Sequence, residues 1–284
     1  MSLLDPDALA QLNNYANQHL VTSSWVVIVV SSAVVVVEEN LSRNLLSRAR
    51  SLADNNNNNN NNKLAFQENL MSEMLQCLAT EGADPALRMN AALYCKNLFL
   101  KFIPTEQADA TRRWLALSNE FRTRVKEACL QTMLSPVKEA RQGASALTAR
   151  LAVLELTDNQ WLEVISTLQT RATELTDPAL RSTALETLGW ICEDVMTFAT
   201  DQQQRSPKET MALLANSILT AVVFGMRPDE PDAHVRLTAT EALYNALEFA
   251  ERSFNEPDER NYVMNVIFAA TEALQVEVRI KAVS

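Results

Sequence analysis

Residues 177–184 read Asp-Pro-Ala-Leu-Arg-Ser-Thr-Ala, and this octet returns along the chain. Asp84-Pro85-Ala86-Leu87-Arg88 leads to Ala91, Pro231-Asp232-Ala233-His234-Val235-Arg236 to Ala239, and Val276-Glu277-Val278-Arg279 to Ala282. A weaker copy runs from Ser135-Pro136 to Arg141 and Ala144. Each part has a physical task at a helix start. Asp or Ser accepts from the open amides, and proline is tolerated in the first turn because its missing N–H has no partner there. The apolar residue enters the core, and the small alanine lets a neighbouring helix approach. The arginine is placed to reach along a stack to an acidic residue of the next repeat.

The five arginines, Arg88, Arg141, Arg181, Arg236 and Arg279, lie 53, 40, 55 and 43 residues apart. That brackets the HEAT period of about 40–47 residues, with the longer gaps holding larger loops. From Lys63 onward, apolar residues recur at helical spacing in blocks of fifteen to twenty. The reading is an all-α, armadillo-type solenoid: HEAT repeats of antiparallel helix pairs in a right-handed superhelix. Outer helices are expected near 3–20, 63–80, 118–134, 158–176, 207–228 and 256–273. Inner helices are expected near 38–54, 85–101, 137–156, 178–195 and 231–252, with a last one from 275.

Residues 1–62 form a degenerate first repeat, interrupted by a valine-rich run at 25–37 and an asparagine run at 55–62. Residues 63–284 carry repeats two to six and end in a truncated inner helix. Val276, Val278, Ile280 and Val283 would there lack a polar capping repeat, so the array is expected to continue in a longer protein. The asparagine run reads as a disordered loop. The thirteen-residue valine run is too short to span a bilayer as a helix and reads as a low-complexity insertion, not an anchor.

Composition agrees. Only four glycines occur, which disfavours sheet-rich and phosphate-cradling folds. A net charge of −10 without a basic block argues against nucleic-acid binding. Cys77, Cys95, Cys129 and Cys192 form no C-x-x-C pair and read as buried reduced thiols. The two histidines, His19 and His234, are not brought together by any pattern, and no nucleotide, zinc or serine-hydrolase signature is present. Trp114, Trp161 and Trp190 fall in helical stripes and read as core. Catalysis, a cofactor and a metal are therefore not expected.

Several stretches resemble the N-terminal part of the importin-β (karyopherin-β) family. They include Tyr94-Cys95-Lys96-Asn97-Leu98, Arg113-Trp114-Leu115-Ala116-Leu117, Asn159-Gln160-Trp161 and Leu185-Glu186-Thr187-Leu188-Gly189-Trp190-Ile191-Cys192. The strongest run is Ile218-Leu219-Thr220-Ala221-Val222-Val223-Phe224-Gly225-Met226-Arg227, followed by Ala239-Thr240-Glu241-Ala242-Leu243. The resemblance implies a nuclear transport receptor of cytoplasm, nucleus and nuclear pore that binds the GTPase Ran in its GTP form on the inner face. Lys96 and Asn97 match the family's Lys-Asn there. It also implies that Phe-Gly (FG) nucleoporins bind the outer face at positions matching Leu219, Thr220, Val223, Glu259, Tyr262 and Val263. Tyr262 and Val223 stand where the family has phenylalanine and isoleucine. An apolar slot taking one phenylalanine ring would contribute about 1.5–3 kcal/mol. Importin-α and basic cargo are expected only if later repeats are present. The alternative is a HEAT scaffold or adaptor unrelated to transport.

Overall fold

The computed structural model describes residues 60–99, 104–156, 160–198, 207–250, 254–272 and 276–283. The chain divides into two compact units, Met1–Asn58 and Asn59–Ser284, and every described residue belongs to the second. The expected first-repeat helices, the valine run, His19 and the first five residues of the asparagine run lie outside the described residues.

Eleven α-helices are described: α1 (Asn60–Ala79), α2 (Pro85–Phe99), α3 (Pro104–Leu115), α4 (Asn119–Thr132), α5 (Lys138–Leu156) and α6 (Glu163–Glu174). After them come α7 (Pro178–Phe198), α8 (Pro207–Met226), α9 (Ala233–Ala246), α10 (Pro257–Thr271) and α11 (Val276–Val283). Among the described residues there is no strand. The helix starts are capped as the repeated octet requires. Asp84 Oδ1 accepts from the Leu87 N–H at 3.0 Å, Asp177 Oδ1 from Ala179 at 2.8 Å and Asp232 Oδ1 from Val235 at 2.9 Å. Ser135 Oγ accepts from the Val137 N–H at 3.2 Å.

The helices form two rows. α2 packs on α5, α5 on α7, α7 on α9 and α9 on α11. The other row is α1, α4, α6, α8 and α10, each paired with the helix that follows it in the second row. This is the HEAT arrangement. Ala91, Ala144, Ala184 and Ala239, the small residues of the pattern, are all buried. Gly189 on α7 is needed where two second-row helices come closest. A Cβ there would lie 3.1 Å from the Ala242 Cα on α9.

The arginines close the helix ends and tie repeat to repeat. Arg181 Nε donates to the Ala172 carbonyl of α6 at 3.1 Å, and its Nη2 donates to Glu230 ahead of α9 at 2.5 Å. Arg88 Nε donates to the Leu78 carbonyl at 2.8 Å. Its carboxylate partner, however, is Glu81 of its own repeat, held bidentately at 2.9 and 3.1 Å, and the next repeat contributes Ser135 Oγ. Arg141 turns back to the carbonyls of Ser135 and Pro136 with its hydrogen bonds, while its charge acts on Glu186 of the next repeat.

Four boundaries differ from expectation. The long gap between Arg88 and Arg141 holds a helix, α3, where a loop was expected. Pro104 opens it, and the buried Ala110, Thr111 and Trp114 dock it against α2 and α5. Trp161 precedes α6, at φ 54°, and does not sit within a helical stripe. It is still buried, and Trp114 is fully so, whereas Trp190 is half-buried. Asn60, Asn61 and Asn62 belong to α1, since helix propagation from Lys63 carries back over them at the small cost asparagine incurs. α9 stops at Ala246 and gives way to a 3-10 turn at Leu247–Phe249.

One membrane-like window was not foreseen. Glu209–Met226 of α8 is long and apolar enough to cross a bilayer. It is 56% buried and packs on α6, α7, α9 and α10, as a central helix of the solenoid does.

Candidate protein-binding surfaces

Lys96 and Asn97 lie in the last turn of α2, in the second row. Lys96 is half-buried and Asn97 exposed, and Tyr94, three residues before Asn97 on the same side, is 43% exposed. The basic side chain suits a helix C-terminus, where the unpaired carbonyls carry partial negative charge. Two charges on the next two second-row helices bear on this end, one fully buried and one half-buried. Arg150 on α5 is fully buried and donates from Nε and Nη2 to the Phe99 carbonyl, at 3.0 and 2.7 Å. Asp194 on α7 has its carboxyl raised by burial, while the Arg150 and Lys96 charges oppose that rise. Arg150 in turn is lowered to about 10, chiefly by burial, with Asp194 acting against the fall.

Further along the second row, Glu186 on α7 is pushed up to about 7, first by burial and then by Glu241 of α9, with Lys138 and Arg141 of α5 pulling the other way. The close backbone approach at Gly189 and Ala242 brings these two helices together one turn away.

In the first row the six outer-face positions divide. Leu219, Val223 and Val263 are 6%, 4% and 4% exposed, so they pack inside the helix layer. Thr220, Glu259 and Tyr262 are exposed, Tyr262 by 58%, and Thr220 Oγ1 donates to the Asn216 carbonyl at 2.7 Å. α8 and α10 pack on each other. At the N-terminal end of α10 a half-open cleft of about 460 Å³ is lined by Asn216, Glu256, Pro257, Asp258 and Glu259. Of the six, only Glu259 lines it. Asn216 sits one turn before Thr220 on the same face of α8, and that spacing was the available sequence signal.

The thiols are unsuited to nucleophilic work. Burial pushes Cys95 and Cys192 up to about 12 and raises Cys129 and the half-buried Cys77 as well. His234 is exposed in the first turn of α9, where Asp232 is the capping group.

No family model matches the chain. Curated proteins do. The chain is 38% identical over 209 residues to importin subunit beta-1 of Schizosaccharomyces pombe, covering 74% of this chain and 23% of that protein. Against importin subunit beta-1 of Arabidopsis thaliana it is 36% identical over 219 residues, covering 75% and 24%. A crystal structure of importin beta from an ammonium sulfate condition superposes with a TM-score of 0.68 at 30% identity, covering 90% of this chain and 27% of that one. This stretch of chain belongs to the importin-β family.

It spans about a quarter of the length of the importin-β relatives it matches. Two solved structures of the yeast member, Kap95, share the importin-β fold at lower identity, and both cover 92% of this chain and 28% of theirs. One is a Kap95:Nup1 complex, with a TM-score of 0.72 at 24% identity. The other, at 0.69 and 23%, concerns Kap95p inducing the switch loops of RanGDP to adopt the GTP-bound conformation.

Proposed function

We propose that this chain is the Ran- and nucleoporin-binding part of a karyopherin-type nuclear transport receptor, its described pairs being repeats two to six. The observation that carries the proposal is its 38% identity to importin subunit beta-1 along 74% of its length. It works by binding and not by catalysis, and it moves between cytoplasm and nucleus through the nuclear pore.

The second row is the inner face, where Lys96 and Asn97 meet Ran in its GTP form. A half-buried lysine at a helix end can present its ammonium while its stem stays packed. The first row is the outer face, where FG repeats dock at the α8–α10 seam. With Leu219, Val223 and Val263 buried, Tyr262, Thr220 and Glu259 supply the contact surface, and the buried trio holds the two helices in register. Such a shallow site binds weakly, and many repeats on one nucleoporin supply avidity. Importin-α and basic cargo engage only where further C-terminal repeats are present. The acidic net charge of −10 suits basic protein partners.

The test sets two variants against two partners. Lys96→Ala is expected to weaken binding to Ran loaded with a GTP analogue about tenfold and to leave an FG-repeat peptide unaffected. Tyr262→Ala is expected to do the reverse. If both variants keep full affinity for both partners, the assignment of the two faces is wrong.

A further inference from the structure

The last carbonyls of a helix find no partner within it. Two arginines of the repeat pattern answer this at first-row helices, Arg88 at the Leu78 carbonyl of α1 and Arg181 at the Ala172 carbonyl of α6. Arg150 stands outside the pattern and does the same for α2, in the second row. The Phe99 carbonyl that ends α2 accepts from both its Nε and its Nη2, at 3.0 and 2.7 Å. The carbonyl before it, of Leu98, accepts from Arg113 Nη2 of α3 at 3.5 Å. The Phe99 ring meets Trp114 of α3 edge-on, with centroids 5.4 Å apart. Trp114 is in turn tied to α5, its Nε1 donating to Glu155 Oε1 at 2.9 Å. Arg150, Phe99 and Trp114 are all fully buried.

Lys96 and Asn97 lie in this same last turn, Lys96 three residues before Phe99. One is half-buried and the other exposed, so the backbone that carries them sets where they point. Helix ends fray, and a partner that binds a frayed turn must first order it. Two donors from one planar guanidinium fix the Phe99 carbonyl in direction as well as distance. Burying a charged arginine is costly, and an apolar side chain of similar length would fill the same space without that cost. Stability alone therefore explains Arg150 poorly, and a task in placing the turn explains it better.

We infer that Arg150 is a positioning residue for Lys96 and Asn97, fixing the last turn of α2 in the conformation that a protein partner binds. The inference rests on the proposed function and deepens it. Arg150, being fully buried, does not touch the partner; it acts through the α2 backbone at Phe99.

The experiment uses the full chain as wild type, Arg150→Met and Arg150→Lys, with Arg150→Met also placed in a background carrying Lys96→Ala and Asn97→Ala. Each is titrated with Ran loaded with a GTP analogue and with an FG-repeat peptide, and amide hydrogen exchange is followed at residues 96–99. Arg150→Met is expected to weaken Ran binding about fivefold and to speed exchange at these amides, leaving the FG-repeat peptide and the unfolding midpoint unaffected. Arg150→Lys, which keeps the charge but loses the paired donors, is expected to recover part of both losses. In the background of the two alanines, Arg150→Met should add nothing. Unchanged exchange at 96–99, a loss of Ran affinity that persists in that background, or an equal loss for the FG-repeat peptide would overturn the inference. If the two alanines alone leave Ran affinity at the wild-type value, the proposed inner-face site is wrong instead, and faster exchange in Arg150→Met leaves the hold of Arg150 on the turn standing. Arg150→Leu takes the place of Arg150→Met if the methionine variant has a lowered midpoint.

Discussion

At the scale of single residues, charge burial is the recurring device, and the acids that pair differ from the acid that does not. Glu155 is 1% exposed and accepts from Trp114 Nε1 at 2.9 Å, Arg122 at 2.7 Å and Lys126 at 3.3 Å, so α3, α4 and α5 meet on one carboxylate. Glu186 has no such set of donors, and it faces Glu241 with its pKa pushed up to about 7. A raised carboxyl means that between the ordinary 4.5 and about 7 the folded chain keeps a proton the unfolded chain has released. That contribution to stability is full below this window and is lost as the pH rises through about 7. Glu186→Gln, which cannot ionise, should therefore gain on wild type in melting temperature at pH 8 relative to pH 5. An equal difference at the two pH values would contradict the assignment. The reach of Arg181 to Glu230 was legible in the sequence, because the repeat fixes where the arginine starts and where the next acidic turn lies. The burial of Glu155 and Arg150 was not. Each is a polar residue of a helix that reads as solvent-facing until partners or neighbours 30 to 50 positions away are packed against it.

At the scale of elements, the pairing of helices depends on where their backbones can meet. Gly189 is such a place. Adding a methyl group there sets a Cβ 3.1 Å from the Ala242 Cα and 3.3 Å from its Cβ, and neither backbone can yield as a flexible side chain would. Gly189→Ala is expected to force α7 and α9 apart at a cost of about 1–3 kcal/mol. Denaturant titration checks the energy, and hydrogen exchange should show the loosening confined to α7, α9 and their neighbours, since repeats contact only adjacent repeats. An unchanged unfolding midpoint would contradict it. Most elements were legible because the capping acids and prolines punctuate them. α3 was missed because it is a short helix inside what the repeat period labels a loop. Its apolar face, Ala110, Thr111 and Trp114, is too small to announce a helix without the partner surfaces of α2 and α5. The exposure of the six positions on α8 and α10 was only partly legible for a related reason. Residue types told that Leu219, Val223 and Val263 belong at a helix seam, but not that the seam closes over them and leaves Tyr262, Thr220 and Glu259 outside.

At the scale of the molecule, the two rows of helices in Asn59–Ser284 present two faces, which suits binding of different proteins. Under the proposed function, one face takes a GTPase whose affinity must depend on its nucleotide and the other takes weak, repeated apolar contacts. A scaffold solenoid built from the same repeats has no reason to distinguish the nucleotide states of Ran. The decisive measurement is therefore the equilibrium affinity of this chain for Ran loaded with a GTP analogue against Ran loaded with GDP, at one salt concentration. The expected result is about a hundredfold preference for the GTP form, a coupling within the usual range for ligand-switched binding. Equal affinity for the two forms, or no binding to either, would contradict a transport-receptor function for this stretch of the chain.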